Sequence, residues 1–179
     1  MNTKRWLRFS IVPALLLTGA YLAKDISANL QRKSVLQRFL HTLPTFQFTA
    51  LDGTAVGTDY LLTGQPAVLL FFSPDCAYCQ EQAQSIAQQL TVFENIQFLW
   101  IADDSVAVVH AFAERYGINH KPNSKVVTAR YGQIKAVFGI RQLPSVLIYN
   151  RQHHFVRHFS GETKWEAILA AVNDQTPDR

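Results

Sequence analysis

Cysteine is scarce in this chain: Cys76 and Cys79 are the only two. A closed zinc site takes four ligands, and with no second cysteine pair the four-thiolate kind is excluded. At most one disulfide can form, so a framework of several crosslinks is excluded too. Charge is also sparse, at 17% Asp, Glu, Lys and Arg. Basic charge is missing from most of the molecule. Residues 42–179 hold ten Lys/Arg against twelve Asp/Glu, whereas residues 1–41 hold seven (Lys4, Arg5, Arg8, Lys24, Arg32, Lys33, Arg38) against Asp25 alone. The pI of 9.2 therefore belongs to the leader, and nothing calls for a nucleic acid or other polyanion as partner. Internal repeats, low-complexity tracts and a second long apolar span are absent as well. A length of 179 residues suits one domain with a proper core and an appendage.

The leader is the appendage. MNTKRWLR (1–8) is basic and FSIVPALLLTGAYLA (9–23) is uncharged, the layout of a signal peptide or an N-terminal anchor. Fifteen helical residues reach about 22 Å, short of a hydrocarbon core of about 30 Å. Counted from Trp6, with Arg8 snorkelling outward, the span grows to about 27 Å. Small residues suited to a cleavage site are poorly placed at Thr18/Ala20 and Ile26/Ala28. Residues 1–26 are thus expected to be an uncleaved anchor, with a removed signal as the alternative. Residues 27–43 read as a juxtamembrane amphipathic helix or a solvated linker, and residues 44–175 as the main domain. The basic N-terminus favours an inside position for itself and export of everything downstream, although Arg32, Lys33 and Arg38 dilute that bias.

Within the main domain, PTFQFTALDGTAV (44–56) alternates around Asp52-Gly53 and predicts a hairpin. PAVLLFF (66–72) and IQFLWIA (96–102) are unbroken apolar runs, expected as strands buried on both faces. Between them, residues 76–90 predict a helix with Ala83, Ile86, Ala87 and Leu90 on its apolar side. A second helix is expected over 105–117, with Ser105 as N-cap and Gly117 as stop. Residues 118–125 read as loop, 126–128 as a short strand and 129–138 as a helix ended by Gly139. SVLIY (145–149) and FVRHF (155–159) predict strands joined by a tight turn, and 163–172 a closing helix. The order implies an α/β fold with a mixed central sheet flanked by helices. Its first βαβ unit is expected to be parallel, and the cysteines fall at the carboxyl end of a central strand, where chemistry gathers in such sheets.

Three uses of the cysteine pair are open. As a crosslink, a four-residue loop gains about 2 kcal/mol in the chain-entropy picture, against about 4.7 kcal/mol for a hundred-residue loop. As a metal grip, the pair lacks partners in sequence apart from His153-His154, though copper accepts both ligand types. As a redox centre, the spacing works directly. Positions i and i+3 share a helix face, so the two sulfurs can meet. Cys76 would sit in the first turn, where free amides and the helix dipole favour a thiolate, and Cys79 would resolve the mixed disulfide. A CxxC at a strand-to-helix junction favours this third use.

With AVLLFFSPDCAYC (67–79), FGIRQLPSVLIY (138–149) and SGETKW (160–165), the chain resembles the thioredoxin-like superfamily. Within it the likeness is to membrane-anchored thiol–disulfide oxidoreductases of the TlpA/ResA type, over residues 44–173, and the 44–56 hairpin matches their N-terminal addition. The resemblance implies an attacking role for Cys76 and a resolving role for Cys79. It also implies a cis Pro144 that turns the Leu143 backbone toward the site, where it can pair with an extended segment of a partner. There are departures. Asp75 stands where the family often has Trp; its charge could cap the helix or oppose a thiolate, and it is a candidate substrate contact. Leu70 replaces the buried acid of thioredoxins, and Gln82 replaces a Glu of the ResA-like branch. That leaves Glu81, Asp103 and water as candidates for moving protons at Cys79.

The sequence thus predicts thiol–disulfide exchange with partner proteins through Cys76 and Cys79, without a bound cofactor or metal. The resemblance suggests the reducing direction, an upstream electron donor such as a membrane dithiol carrier, and a place on the periplasmic side of the inner membrane. Under the signal-peptide alternative the domain is released into the periplasm. The rivals are a copper-binding module on the same fold, a redox-inactive scaffold, and a thiol peroxidase. The last would need Pro at position 69 and Thr or Ser at 73; Ser73 fits and Leu69 does not.

Overall fold

The computed structural model describes residues 40–174, together with Gly19, Tyr21 and Lys24, which are helical. Those three belong to a unit spanning Met1–Phe39, separate from the unit that begins at Leu40. Most of the expected anchor and of the expected juxtamembrane segment lies outside the described residues. Among the described residues no helix is long and apolar enough to cross a membrane.

The hairpin forms around Asp52-Gly53 as the alternation predicts, from β1 (Gln47–Ala50) and β2 (Ala55–Gly57). Gly53 supplies the left-handed backbone at φ 83°, and the Asp52 carboxylate accepts from the Thr54 amide at 2.9 Å. The two apolar runs become β3 (Ala67–Phe72) and β4 (Gln97–Ala102), every residue buried. Between them runs α1 (Ala77–Ala87), mostly Ala, Gln, Glu and Ser, with Tyr78, Cys79 and a single β-branched residue, Ile86. It is shorter than the expected 76–90. Beyond it the amides of Gln89, Val92, Phe93 and Ile96 each bond back three residues, so the chain continues as tight turns that still bury Leu90 and Phe93.

Helix α2 (Val106–Tyr116) ends on Gly117 at φ 62°. Ser105 holds its N-cap position without a side-chain capping bond, while its amide donates to the Asp104 carboxylate at 2.6 Å. Strand β5 (Ser124–Thr128) starts two residues earlier than its apolar core suggests. Ser124 is buried because its hydroxyl accepts from Trp100 Nε1 at 3.0 Å and donates to the Ile118 carbonyl. Helix α3 (Gln133–Phe138) covers only the second half of the expected 129–138, because Gly132 enters it at φ 75°. The last elements are β6 (Ser145–Tyr149), β7 (Phe155–Ser160) and α4 (Trp165–Asn173).

The seven strands form one mixed sheet in the order β2-β1-β5-β4-β3-β6-β7. Strands β3, β4 and β5 are parallel, β6 and β1 pair antiparallel to them, and β7 and β2 pair antiparallel to β6 and β1. Alternate residues of the central strands face opposite layers. Val68, Leu70, Phe72, Phe98 and Trp100 meet α1, α2 and α4, while Phe71 meets Phe138 of α3. Each fully buried side chain of this size contributes about 1.5–3 kcal/mol of transfer free energy. The parallel register brings the carboxyl ends of β3, β4 and β5 to one edge, and the antiparallel register puts the start of β6 there too.

Candidate active site

At that edge β3 runs out into Ser73-Pro74-Asp75. The Cys76 amide donates to the Ser73 carbonyl at 3.1 Å, folding the loop back on itself. Gln80 then ties loop to helix: its side-chain Nε2 donates to the Pro74 carbonyl at 2.8 Å and its amide to the Cys76 carbonyl at 3.0 Å. Cys76 consequently takes the N-cap position, with extended backbone (φ −84°, ψ 118°), one residue before the first turn expected to hold it. Asp75 does not cap the helix, since the cap residue is Cys76. It is exposed in the loop beside the cysteine.

Three residues on, the chain has turned inward. Cys76 is half-buried at the rim, whereas Cys79 is 2% exposed and joins the apolar core. Both are free thiols. The Ser73 amide donates to Cys79 Sγ at 3.5 Å. Burial pushes the Cys79 thiol up to about 12, the Ser73 amide pulls the other way, and the adjoining Cys76 raises it further through a hydrogen bond and through charge. Near neutral pH Cys79 therefore holds its proton while Cys76 presents its sulfur at the surface. Such a pair can divide two roles, one sulfur meeting a partner and the other following from within.

The Leu143–Pro144 peptide bond is cis, as the resemblance implies. Pro144 lines a small cavity with Cys79, Leu70, Phe72, Trp100 and Gln82, with about 10 Å³ open to the centre of a water molecule. Leu143 packs, partly buried, on the same core. Sequence reading gave Gln82 no role. It is 2% exposed, and neither its Oε1 nor its Nε2 finds a hydrogen-bond partner among the described residues. The available signal was its position, three residues after Cys79 and four before Ile86, on the helix face that turns inward.

The proton-transfer candidates named from sequence do not line that cavity. Glu81 is exposed, and the Asp103 carboxylate accepts from the Gly132 amide at 2.9 Å. His153 and His154 occupy the turn after β6, and Tyr149 pairs with Ala67 at the start of β3, so they stand at the sheet end opposite the cysteines. Among the described residues no group of three or more His, Cys, Asp or Glu is gathered to hold a metal ion. Leu69, where a peroxidase pattern would need proline, is wholly buried in mid-strand.

Residues 40–159 match the AhpC/TSA family. The soluble secreted antigen MPT53 of Mycobacterium bovis is 29% identical over 99 residues, 53% of this chain and 54% of that protein. The chain thus matches about half the length of this curated relative. Among solved structures, dsbF of MTB, in mixed oxidized and reduced forms, superposes with a TM-score of 0.65 at 24% identity, over 77% of this chain and 97% of that one. Peroxidoxin BcpB from Mycobacterium tuberculosis gives 0.64 at 18% identity, over 75% and 96%. These likenesses establish the thioredoxin-like fold, and with the family match across two-thirds of its length the chain belongs to the AhpC/TSA family.

Proposed function

We propose that the protein exchanges disulfides with cysteines of partner proteins through Cys76 and Cys79. The carrying observation is the asymmetry of the pair, a rim sulfur at a helix N-terminus backed by a buried thiol raised to about 12. Cys76, as thiolate, attacks one sulfur of a partner disulfide; a bond forms to that sulfur and the other leaves, taking a proton. Cys79 then gives up its proton and attacks Cys76, closing the Cys76–Cys79 bond and releasing the second partner sulfur. The partner gains two electrons and two protons, and this protein loses them. Return to the dithiol takes an upstream dithiol donor, for which a membrane carrier is suited. Asp75, next to Cys76 in the loop, and the cis-bonded Leu143 and Pro144 are assigned to contact the partner chain.

The reducing direction rests on the family resemblance, whereas anchorage by residues 1–26, with the domain on the periplasmic side of the inner membrane, rests on the basic and then uncharged leader together with that resemblance. The secreted MPT53 supports an exported setting. A copper module is disfavoured because His153 and His154 stand at the far end of the sheet from the thiols. A thiol peroxidase is the second reading, favoured by the family and by the likeness to a peroxidoxin. In it, Cys76 would take oxygen from a peroxide and Cys79 would close on the resulting sulfenic acid.

A trapping experiment separates the readings. Cys79→Ser should leave Cys76 locked to a partner protein as a thiol-sensitive adduct that mass spectrometry identifies, and Cys76→Ser should give none. Absence of any adduct, with peroxide consumed at the expense of a thiol reductant and lost in Cys76→Ser, would replace exchange by the peroxidase.

A further inference from the structure

Gln82 is the anomaly of this core. Its amide is 2% exposed and both polar atoms lack partners among the described residues, on the wall of the cavity that also touches Cys79. An unpaired buried amide costs about 1–3 kcal/mol, so a fold keeps one only where something compensates. The cavity's opening of about 10 Å³ meets the minimum of about 10–15 Å³ for a single water, which also needs two or more polar partners. Gln82 offers an acceptor and a donor, and the Cys79 sulfur is the third.

We propose that Gln82 holds one water molecule against Cys79 and that amide and water together solvate the Cys79 thiolate during the resolving step. Gln82 is then a positioning residue that itself takes no proton. This deepens the exchange reading and rests on it. The step balances as Cys79–SH plus Cys76–S–S–partner giving Cys76–S–S–Cys79 plus partner–SH. The proton passes through the water to the departing sulfur, and the water is regenerated.

The surroundings leave few other groups for this task. Strands β3 and β4 present Leu70, Phe71, Phe72 and Trp100 to the cavity. On α1 the ionisable neighbours are the exposed Tyr78 and Glu81, with Cys76 at the N-cap and Asp75 in the loop before it. Arg115 and Tyr116 of α2 meet α1 further along, beside Gln84 and Gln88. Helix α4 packs through Trp165, Ile168 and Leu169. From β6 and β7 come Ser145, whose hydroxyl donates to the Gln142 carbonyl at 2.8 Å, and His158, 3.4 Å from that hydroxyl.

The test follows the two thiols separately in the reduced full chain with a chromogenic aromatic disulfide. Attack by Cys76 releases one coloured thiolate in a first phase, and attack by Cys79 on the adduct releases a second. Gln82→Met, similar in size but without hydrogen bonds, should leave the first phase alone. It should slow the second about tenfold and move its pH midpoint up by about one unit, the scale of a hydrogen bond to an anion. Gln82→Glu should add a new inflection to the second phase, because a titrating group then adjoins the thiol. A second phase with the wild-type pH profile in either variant overturns the proposal, so it remains testable if one variant fails to fold. Absence of the first phase in the wild type would instead overturn the exchange reading.

Discussion

The two faces of the sheet carry different kinds of core. On the α3 side, Phe46, Phe48, Phe71 and Phe138 form a compact aromatic stack, with centroids 4.9 Å apart for Phe46–Phe48 and 5.0 Å for Phe71–Phe138. That stack fixes the hairpin and α3 against β3. On the other side, α1 lays Cys79 and an unpartnered amide over Leu70 and Phe72, with a small void between them. The difference teaches a division of labour. One face is packed for stability, and the other gives up some packing next to a sulfur.

Breaking the chemical face should remove function and leave the fold. Cys76→Ser should reduce disulfide exchange to the uncatalysed rate, the largest effect foreseen. Its denaturation free energy should stay within about 0.5 kcal/mol of wild type, because Cys76 is only half-buried. Breaking the aromatic face should do the reverse. Phe138→Ala should cost about 3–5 kcal/mol in urea denaturation, while exchange per folded molecule persists. A marked loss of exchange in folded Phe138→Ala would show that the faces are not independent.

The smallest effect sharpens the contrast through pH. The Cys79 thiol is raised from an ordinary value of 9.0 to about 12, mainly by burial, so above pH 9 the unfolded chain loses a proton that the folded chain keeps. Stability from this group is intact below about pH 9 and is lost as pH climbs toward 12. Denaturation midpoints of wild type should thus fall relative to Cys79→Ala across that range. Parallel curves would mean that the Cys79 environment is not apolar.

Much of this was legible in the sequence because apolar periodicity and turn chemistry agree there. Asp52-Gly53 forms its turn, the two apolar runs are the central strands, and Cys76 and Cys79 stand at the junction that their spacing implies. What escaped involved polar side chains serving the interior. Ser124 looked like loop because nothing in sequence pairs it with Trp100, twenty-four residues away. Gln82 stands out in sequence only as a replacement for a Glu, and its burial escaped because a glutamine without partners breaks the expectation that buried amides are bonded. Ser105 is the N-cap that its position implies, though without a side-chain capping bond, and of the two uses left open for Asp75 the cap falls away because Cys76 takes that position.

Strand β3 has hydrogen-bonded neighbours on both sides along nearly its whole length, from Ala67 to Phe72 against β4 and from Ala67 to Phe71 against β6. Amide hydrogens of such a strand exchange with solvent only when the whole domain opens. The loop that presents Cys76 thus hangs from the slowest-breathing part of the molecule, so the sulfur that meets a partner is held on a firm mount while its buried neighbour waits one helical turn further in.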